Sequence, residues 1–320
     1  MTPIDTFGAR RRQLIAGSGA IALGGLLGAP PLWAQQTAGQ AAPYEPQRGQ
    51  SGKDVIWIPT PDALVTRMLR MAQLTPQDYL IDLGSGDGKI VIAAAREGAS
   101  GLGIEYNPDM VELSRRRAQA ALVAERARFE KADIFESDFS RATVITMYLL
   151  PHLNLRLRHR LLALKPGTRV VSHEFRMGRW RPDETARIKS ASVHLWLVPA
   201  NAGGHWELSF TQGGQPVTVP LALHQSFQRL EGEARFSDFE AMLREARVAG
   251  EQVSFGFTDA DGHLRRFVGR LAGNTINGSV YDFSAGGARS SFSAKRIGVA
   301  PAIDGAGPTP DNEADLLGTE

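Results

Sequence analysis

Residues 79–95 read YLIDLGSGDGKIVIAAA: an apolar run ending near Asp82, three glycines at alternate positions (Gly84, Gly86 and Gly88), then a second apolar run at helical spacing. A strand that feeds a glycine-rich turn into a helix N-terminus is the unit from which open α/β sheets build a ligand site beyond the carboxyl ends of their strands. Neither phosphate-binding pattern fits the turn. The spacing of GSGDGK does not supply the dinucleotide fingerprint GxGxxG, and Ile90 stands where a P-loop needs a hydroxyl after Gly88–Lys89. Asp82 and Asp87 make the turn acidic, which suits a ligand carrying ammonium or sulfonium charge better than a pyrophosphate.

Outward from this turn, helical and apolar runs alternate. PTPDALVTRMLRMAQL places Leu64, Met68, Met71 and Leu74 on one helical face, and GLGIEY is a second strand, ending on Glu105. PDMVELSRRRAQAALV is a helix with Pro108 near its start, ARFEKAD and ATVITMYLL are strands, NLRLRHRLLALKPG is a helix, and TRVVSHEF is the next strand. Such alternation predicts a parallel sheet covered by helices. SVHLWLV and HWELSF, joined by PANAGG, are expected to form an antiparallel hairpin on the sheet edge. Glu105 can accept from both hydroxyls of a ribose, and Asp133, next to Ile134 and Phe135, can accept from an adenine amino group.

The combination of the DLGSGDG loop, the carboxylate in GIEY and the AD-plus-apolar pair after the third strand resembles the class I, seven-strand S-adenosylmethionine-dependent methyltransferases. PTPDALVTRML, ATVITMYLLPHLN and LKPGTRVVSHEF are similar to the archaeal and mitochondrial protein-lysine methyltransferase branch. The resemblance implies a Rossmann-like seven-strand sheet, S-adenosyl-L-methionine as cofactor, and methyl transfer to an amine, with a protein lysine as acceptor. It makes Asp82, Gly84 and Gly86 contacts to the methionine part, Glu105 the ribose ligand, and Asp133 with Ile134 the adenine pocket, and brings Ser85, Asp87 and Tyr106 into the cofactor-binding set. The Asn/Asp-Pro-Pro-aromatic motif of many amino-group methyltransferases is replaced by MYLLP, residues 147–151, which speaks against adenine or glutamine as acceptor. Tyr148 is the first candidate for a substrate-facing catalytic residue, His173 and Glu174 the second; each also has a structural reading, as packing aromatic, satisfied histidine or strand-end charge. A non-catalytic module that binds an adenosyl ligand on the same fold is the competing function.

Composition narrows the partners. The chain has 320 residues, 42% hydrophobic, and no cysteine, so disulfides, thiolate metal sites and a cysteine nucleophile are excluded. Residues 1–34 hold three arginines and one aspartate, and the remainder carries 33 basic and 33 acidic residues, which gives no whole-protein attraction to nucleic acid. Those first 34 residues, with Arg10–Arg12, a glycine-diluted apolar run, Pro30, Pro31 and Ala34, read as a twin-arginine-type signal peptide. A periplasmic location without stable membrane insertion follows if it is cleaved, and a membrane anchor if it is not. Residues 35–51 read as a linker and 52–212 as the methyltransferase domain.

Residues 213–298 read as a small antiparallel β domain, a sandwich or barrel, interrupted by one helix over FSDFEAMLREARVAG. The last 22 residues, 299–320, are Pro/Gly-rich and acidic and read as a disordered tail. No metal set is expected, since His224 and His263 stand alone in the β domain. Eight Lys/Arg against Glu174 between His152 and Arg181 mark either an acidic partner or the solvated face of a core helix.

Overall fold

The computed structural model describes residues 44–53 and 56–307. The segment read as a signal peptide, the first part of the stretch read as linker and residues 308–320 of the expected tail lie outside the described residues. Seven strands form the first sheet: β1 (Tyr79–Leu83), β2 (Ser100–Glu105), β3 (Ala127–Lys131), β4 (Val144–Met147), β5 (Arg169–His173), β6 (Glu184–Ile188) and β7 (Ala191–Leu197). Their order is β3-β2-β1-β4-β5-β7-β6, with β7 antiparallel to its neighbours and β1 to β5 parallel. Helices α1 (Asp62–Met71), α2 (Lys89–Arg96), α3 (Pro108–Ala120) and α4 (Pro151–Leu162) cover it. The order reverses between β1 and β4, so the crevice at the carboxyl ends of these strands opens where the glycine turn leaves β1.

The edge hairpin is β6–β7, not the pair expected. SVHLWLV is β7, but HWELSF lies in β8 (Gly204–Gln212) of a second sheet, so the boundary falls near Gly204 rather than after 212. Both segments alternate in polarity, and pairing rather than pattern separates them. The second sheet continues with β9 (Gln215–Ser226), β10 (Arg229–Arg235), β11 (Glu240–Met242), β12 (Arg244–Ala249), β13 (Gln252–Thr258), β14 (Leu264–Ala272), β15 (Thr275–Asp282) and β16 (Ala288–Ile297). Pairing runs β9-β8-β16-β15-β14-β13-β12-β10 and returns from β10 to β9, closing a barrel; β11 adds to β10. Phenylalanines fill its interior: Phe267 stacks on Phe255 with centroids 4.8 Å apart and meets Phe292 edge-on at 5.2 Å.

The helix expected over FSDFEAMLREARVAG is instead β11 and β12. Its Glu, Ala, Met, Leu and Arg favour helix, but Ala241 and Val248 are buried in the barrel core, and β13 needs a partner along its free edge. A bulge between Arg244 and Arg247, with Glu245 at φ +48°, accommodates the segment.

Residues 299–307 are ordered against the body rather than part of a free tail. Asp304 bridges to Ser226, and Gly305 lies against the Phe227 ring, which an added Cβ would strike. Phe227, at the β9–β10 turn, is buried in the core of the first sheet and stacks on Trp180 at 6.3 Å. The barrel thus plugs one aromatic side chain into the core beside the first sheet.

Three of the eight basic residues in the run have structural roles. Arg158 is 3% exposed and donates to the Met177 carbonyl, Arg160 donates to the carbonyls of Ile134, Phe135 and Ser137, and Arg169 pairs with Asp78. These bonds satisfy buried and half-buried backbone acceptors and the buried Asp78 carboxylate, leaving less charge for an acidic partner.

Candidate functional site

Parallel register places Asp82 of β1 beside Thr146 of β4, and the Thr146 hydroxyl donates to Asp82 Oδ1 at 2.7 Å. Asp82 is 3% exposed and makes no ion pair among the described residues. Burial pushes its carboxyl up to about 7, the Thr146 bond works the other way, and the nearby Asp87 and Glu105 charges raise it further. A buried carboxylate with a hydroxyl but no cation for company is built to receive one.

The turn that follows takes left-handed backbone at Gly84 (φ +78°), Gly86 (φ +53°) and Gly88 (φ +77°). A side chain at Gly88 would strike Ser114 and Phe129 within 2.8 Å, so this glycine lets α2 start against α3 and β3. Glu105, at the end of β2, closes the turn: Oε2 accepts from Gly86 N and Oε1 from Asn107 N, both at 2.9 Å. Asn107 in turn caps α3, accepting from Asp109 N. The Glu105 carboxylate is therefore aimed by two backbone donors, with lone pairs left for a diol.

At the end of β3, Asp133 Oδ1 accepts from Phe135 N at 2.9 Å and Oδ2 pairs with Lys53 Nζ at 2.6 Å. The Lys53 bond, with the Phe135 amide behind it, holds this carboxyl below its usual range. Asp82, Glu105 and Asp133 line one cavity of about 250 Å³, together with Gly84, Ser85, Gly86, Asp87, Tyr106 and Ile134. Two members contribute less than their residue types suggest. The Asp87 carboxylate is engaged by Arg117 of α3 at 2.5 Å, and the Ser85 hydroxyl sits beneath the loop, 2.5 Å from where a Gly103 Cβ would stand.

Of the three catalytic candidates, Tyr148 alone lines the cavity. His173 is behind it, 4% exposed, with ring centroids 3.8 Å apart and Nδ1 sharing a 3.2 Å hydrogen bond with the Thr60 hydroxyl. Burial lowers the His173 pKa, so its ring is neutral at pH 7. Glu174 takes φ +68° and turns away, accepting from Ser192 N at 3.0 Å. Phe175, 6.2 Å from Tyr148, completes an aromatic wall.

Residues 50–53 and 56–60, the first two read as linker, form the facing wall. Gly49 N donates to Trp57 O and Trp57 N to Gln50 O, both at 2.9 Å, and Lys53, Trp57 and Thr60 all line the cavity. Gln/Ala/Pro composition upstream hid this strap; the aromatic and branched residues of IWIP were the available signal.

The barrel histidines are not isolated. His224 Nε2 meets Asp304 at 2.7 Å, and His263 gathers with Asp259 and Asp261, their ligand-capable atoms within 4.8 Å of one another. Asp259 closes that turn by accepting from Asp261 N and His263 N, and pairs with buried Arg265. Its carboxylate is thereby engaged within the loop.

The sequence is similar to that of known methyltransferases. A sequence model described as the ANTKMT methyltransferase domain matches residues 82–184. The chain is 39% identical over 151 residues to a protein-lysine N-methyltransferase of Saccharolobus islandicus, covering 45% of this chain and 94% of that protein. It is 33% identical over 127 residues to the adenine nucleotide translocase lysine N-methyltransferase of Mus musculus, covering 39% of this chain and 55% of the relative, so the chain spans just over half of that protein's length. Among solved structures, an RNA methyltransferase from Salinibacter ruber in complex with S-adenosyl-L-homocysteine shares 51% identity over 44% of this chain and 94% of its own, with a TM-score of 0.44.

Proposed function

The chain belongs to the protein-lysine N-methyltransferase family of S-adenosylmethionine-dependent enzymes, and from that premise we propose that it methylates the side-chain amine of a lysine in a protein substrate. The observation that carries the reading is the convergence of Asp82, Glu105 and Asp133 on one cavity whose far end is the Tyr148–Phe175 wall. The residues fit the cofactor: Asp82 offers an uncompensated buried carboxylate to an ammonium, Glu105 an oriented carboxylate to the ribose, and Asp133 an acceptor to the adenine amino group. A non-catalytic adenosyl-binding module has no observation in its favour.

When bound, the cofactor supplies a methyl group on a sulfonium, a leaving group that needs no protonation. The protein's task is therefore alignment and dehydration. Leu149, Leu153 and Phe175 make the acceptor end apolar, which favours loss of a proton from the incoming ammonium. Burial raises the Tyr148 pKa, with the Glu174 charge adding to it, so the phenol stays protonated and its oxygen accepts one N–H of the neutral amine, turning the lone pair toward the methyl. His173 fixes the Tyr148 ring from behind.

Tyr148→Phe is expected to lower kcat by about 10- to 100-fold while leaving S-adenosylhomocysteine affinity unchanged, as checked by steady-state kinetics and calorimetry. Equal losses in both would place Tyr148 in cofactor binding instead. The acceptor is tested by incubating the purified chain with methyl-labelled cofactor and a cell extract, then hydrolysing the labelled material. Methyl-lysine is the expected product; label that follows RNA, or appears on another amino acid, contradicts the reading.

We also propose that the enzyme acts after export, on the strength of the arginine-led N-terminal segment. Replacing Arg11 and Arg12 together with Lys is expected to leave the protein in the cytoplasmic fraction of a host carrying a twin-arginine pathway. Unchanged recovery from the periplasm would contradict this.

A further inference from the structure

Trp57 lies outside the region matched by the family's sequence model, yet its side chain meets the glycine turn directly. A Cβ placed on Gly86 would come within 2.7 Å of Trp57 Nε1 and 3.2 Å of Cδ1, so the indole rests directly on the turn, and both line the cavity. Trp57 is half-buried, and its Nε1–H has no acceptor among the described residues, whereas Trp196 and Trp206 spend theirs on the carbonyls of Trp180 and Ala202. Indole nitrogen is a donor only, and at the cavity wall with no protein acceptor it is open to a ligand oxygen. The strap is also anchored along the whole length of the cavity. Lys53 pairs with Asp133 and lies 4.7 Å from the Tyr106 ring centre at one end, and Thr60 bonds His173 at the other.

We propose that Trp57 is a cofactor-binding residue: its indole, seated on Gly86, forms the wall beside the cofactor and donates its N–H to a ribose or carboxylate oxygen. The inference rests on the cavity being the S-adenosylmethionine site. It follows that Gly86 serves two neighbours at once, since any side chain there would displace Trp57 as well as crowd the ligand. Trp180, Trp196 and Trp206 are all fully buried, so Trp57 is the described tryptophan whose emission a ligand in this cavity would alter.

The test compares wild type, Trp57→Phe and Trp57→Ala by calorimetric titration with S-adenosylhomocysteine and by tryptophan emission in the same titration. Wild type is expected to bind with a change in emission, and Trp57→Phe to bind about fivefold more weakly with that change abolished, having lost one donor but kept a ring. Trp57→Ala is expected to bind at least about 30-fold more weakly. Should the Ala variant fail to fold, as judged by its melting curve, the Phe variant decides alone. Affinity within about twofold of wild type in the folded variants overturns the role of Trp57 and leaves the cofactor site standing. No heat with wild type overturns the cofactor site and this inference with it.

Discussion

Asp82→Asn is expected to weaken S-adenosylhomocysteine binding by about 100-fold at pH 8 but by only about 10-fold at pH 6, while the ligand-free variant gains stability at neutral pH. The first effect is the loss of a charge-assisted bond to the ligand's ammonium. Its pH dependence follows from the Asp82 carboxyl standing near 7 in the empty site. At pH 6 the wild-type carboxyl is itself about nine-tenths protonated and must give up that proton to bind, so the two proteins converge. The stability effect has the opposite sign. The native carboxyl titrates near 7 against an ordinary 3.8, so the native state keeps a proton that the unfolded chain releases between those values. Its contribution to stability is complete below about pH 4 and lost as the pH rises through 7, up to about 4 kcal/mol. Asn keeps a carbonyl for Thr146 and carries no charge, so its ligand-free melting temperature should be less sensitive to pH between 5 and 8 than that of wild type. Weaker binding together with a less stable empty protein would show that Asp82 holds the fold rather than the ligand.

Phe227→Ala is expected to cost about 3–5 kcal/mol and to lower the melting temperature of the whole protein by about 6–15 °C. The ring is 4% exposed, stacks nearly parallel to Trp180 (interplanar angle 9°) and lies 5.4 Å from the Arg158 guanidinium, with Gly305 against its edge. Removing it opens a cavity at the junction between barrel and catalytic domain, where Trp180 also packs against Trp196 at 6.1 Å. Because the plug belongs to the core of the first sheet, calorimetry of wild type should give one cooperative transition for both parts. Two transitions, with only the barrel's shifted by the substitution, would contradict the coupling.

What was legible in the sequence was what is local. Asp82, Glu105 and Asp133 each end a strand whose apolar run and following turn lie within a few residues, so chain order alone brought them to one edge of the sheet. Non-local partners decided the rest. HWELSF alternates as well on an edge strand of the first sheet as in the barrel, and only pairing with β9 and β16 assigns it. The segment around Met242 has helix-forming residues and became strand because β13 required a neighbour. Phe227 sits in an unremarkable QSFQ turn, and its burial depends on Trp180, far upstream. At the site, His173 and Glu174 drew attention as titratable neighbours of a strand end, but β5 turns one behind Tyr148 and the other toward Ser192. The strap carried too little pattern to reveal that Trp57 would fold back onto Gly86.

The most direct measurement is a crystal structure of the protein with S-adenosylhomocysteine. One molecule is expected in the cavity, its amino group on Asp82, its ribose hydroxyls on Glu105, its adenine amino group near Asp133 and its sulfur facing Tyr148. Ligand density elsewhere, or a bound molecule that leaves Asp82 and Glu105 without contact, would contradict it.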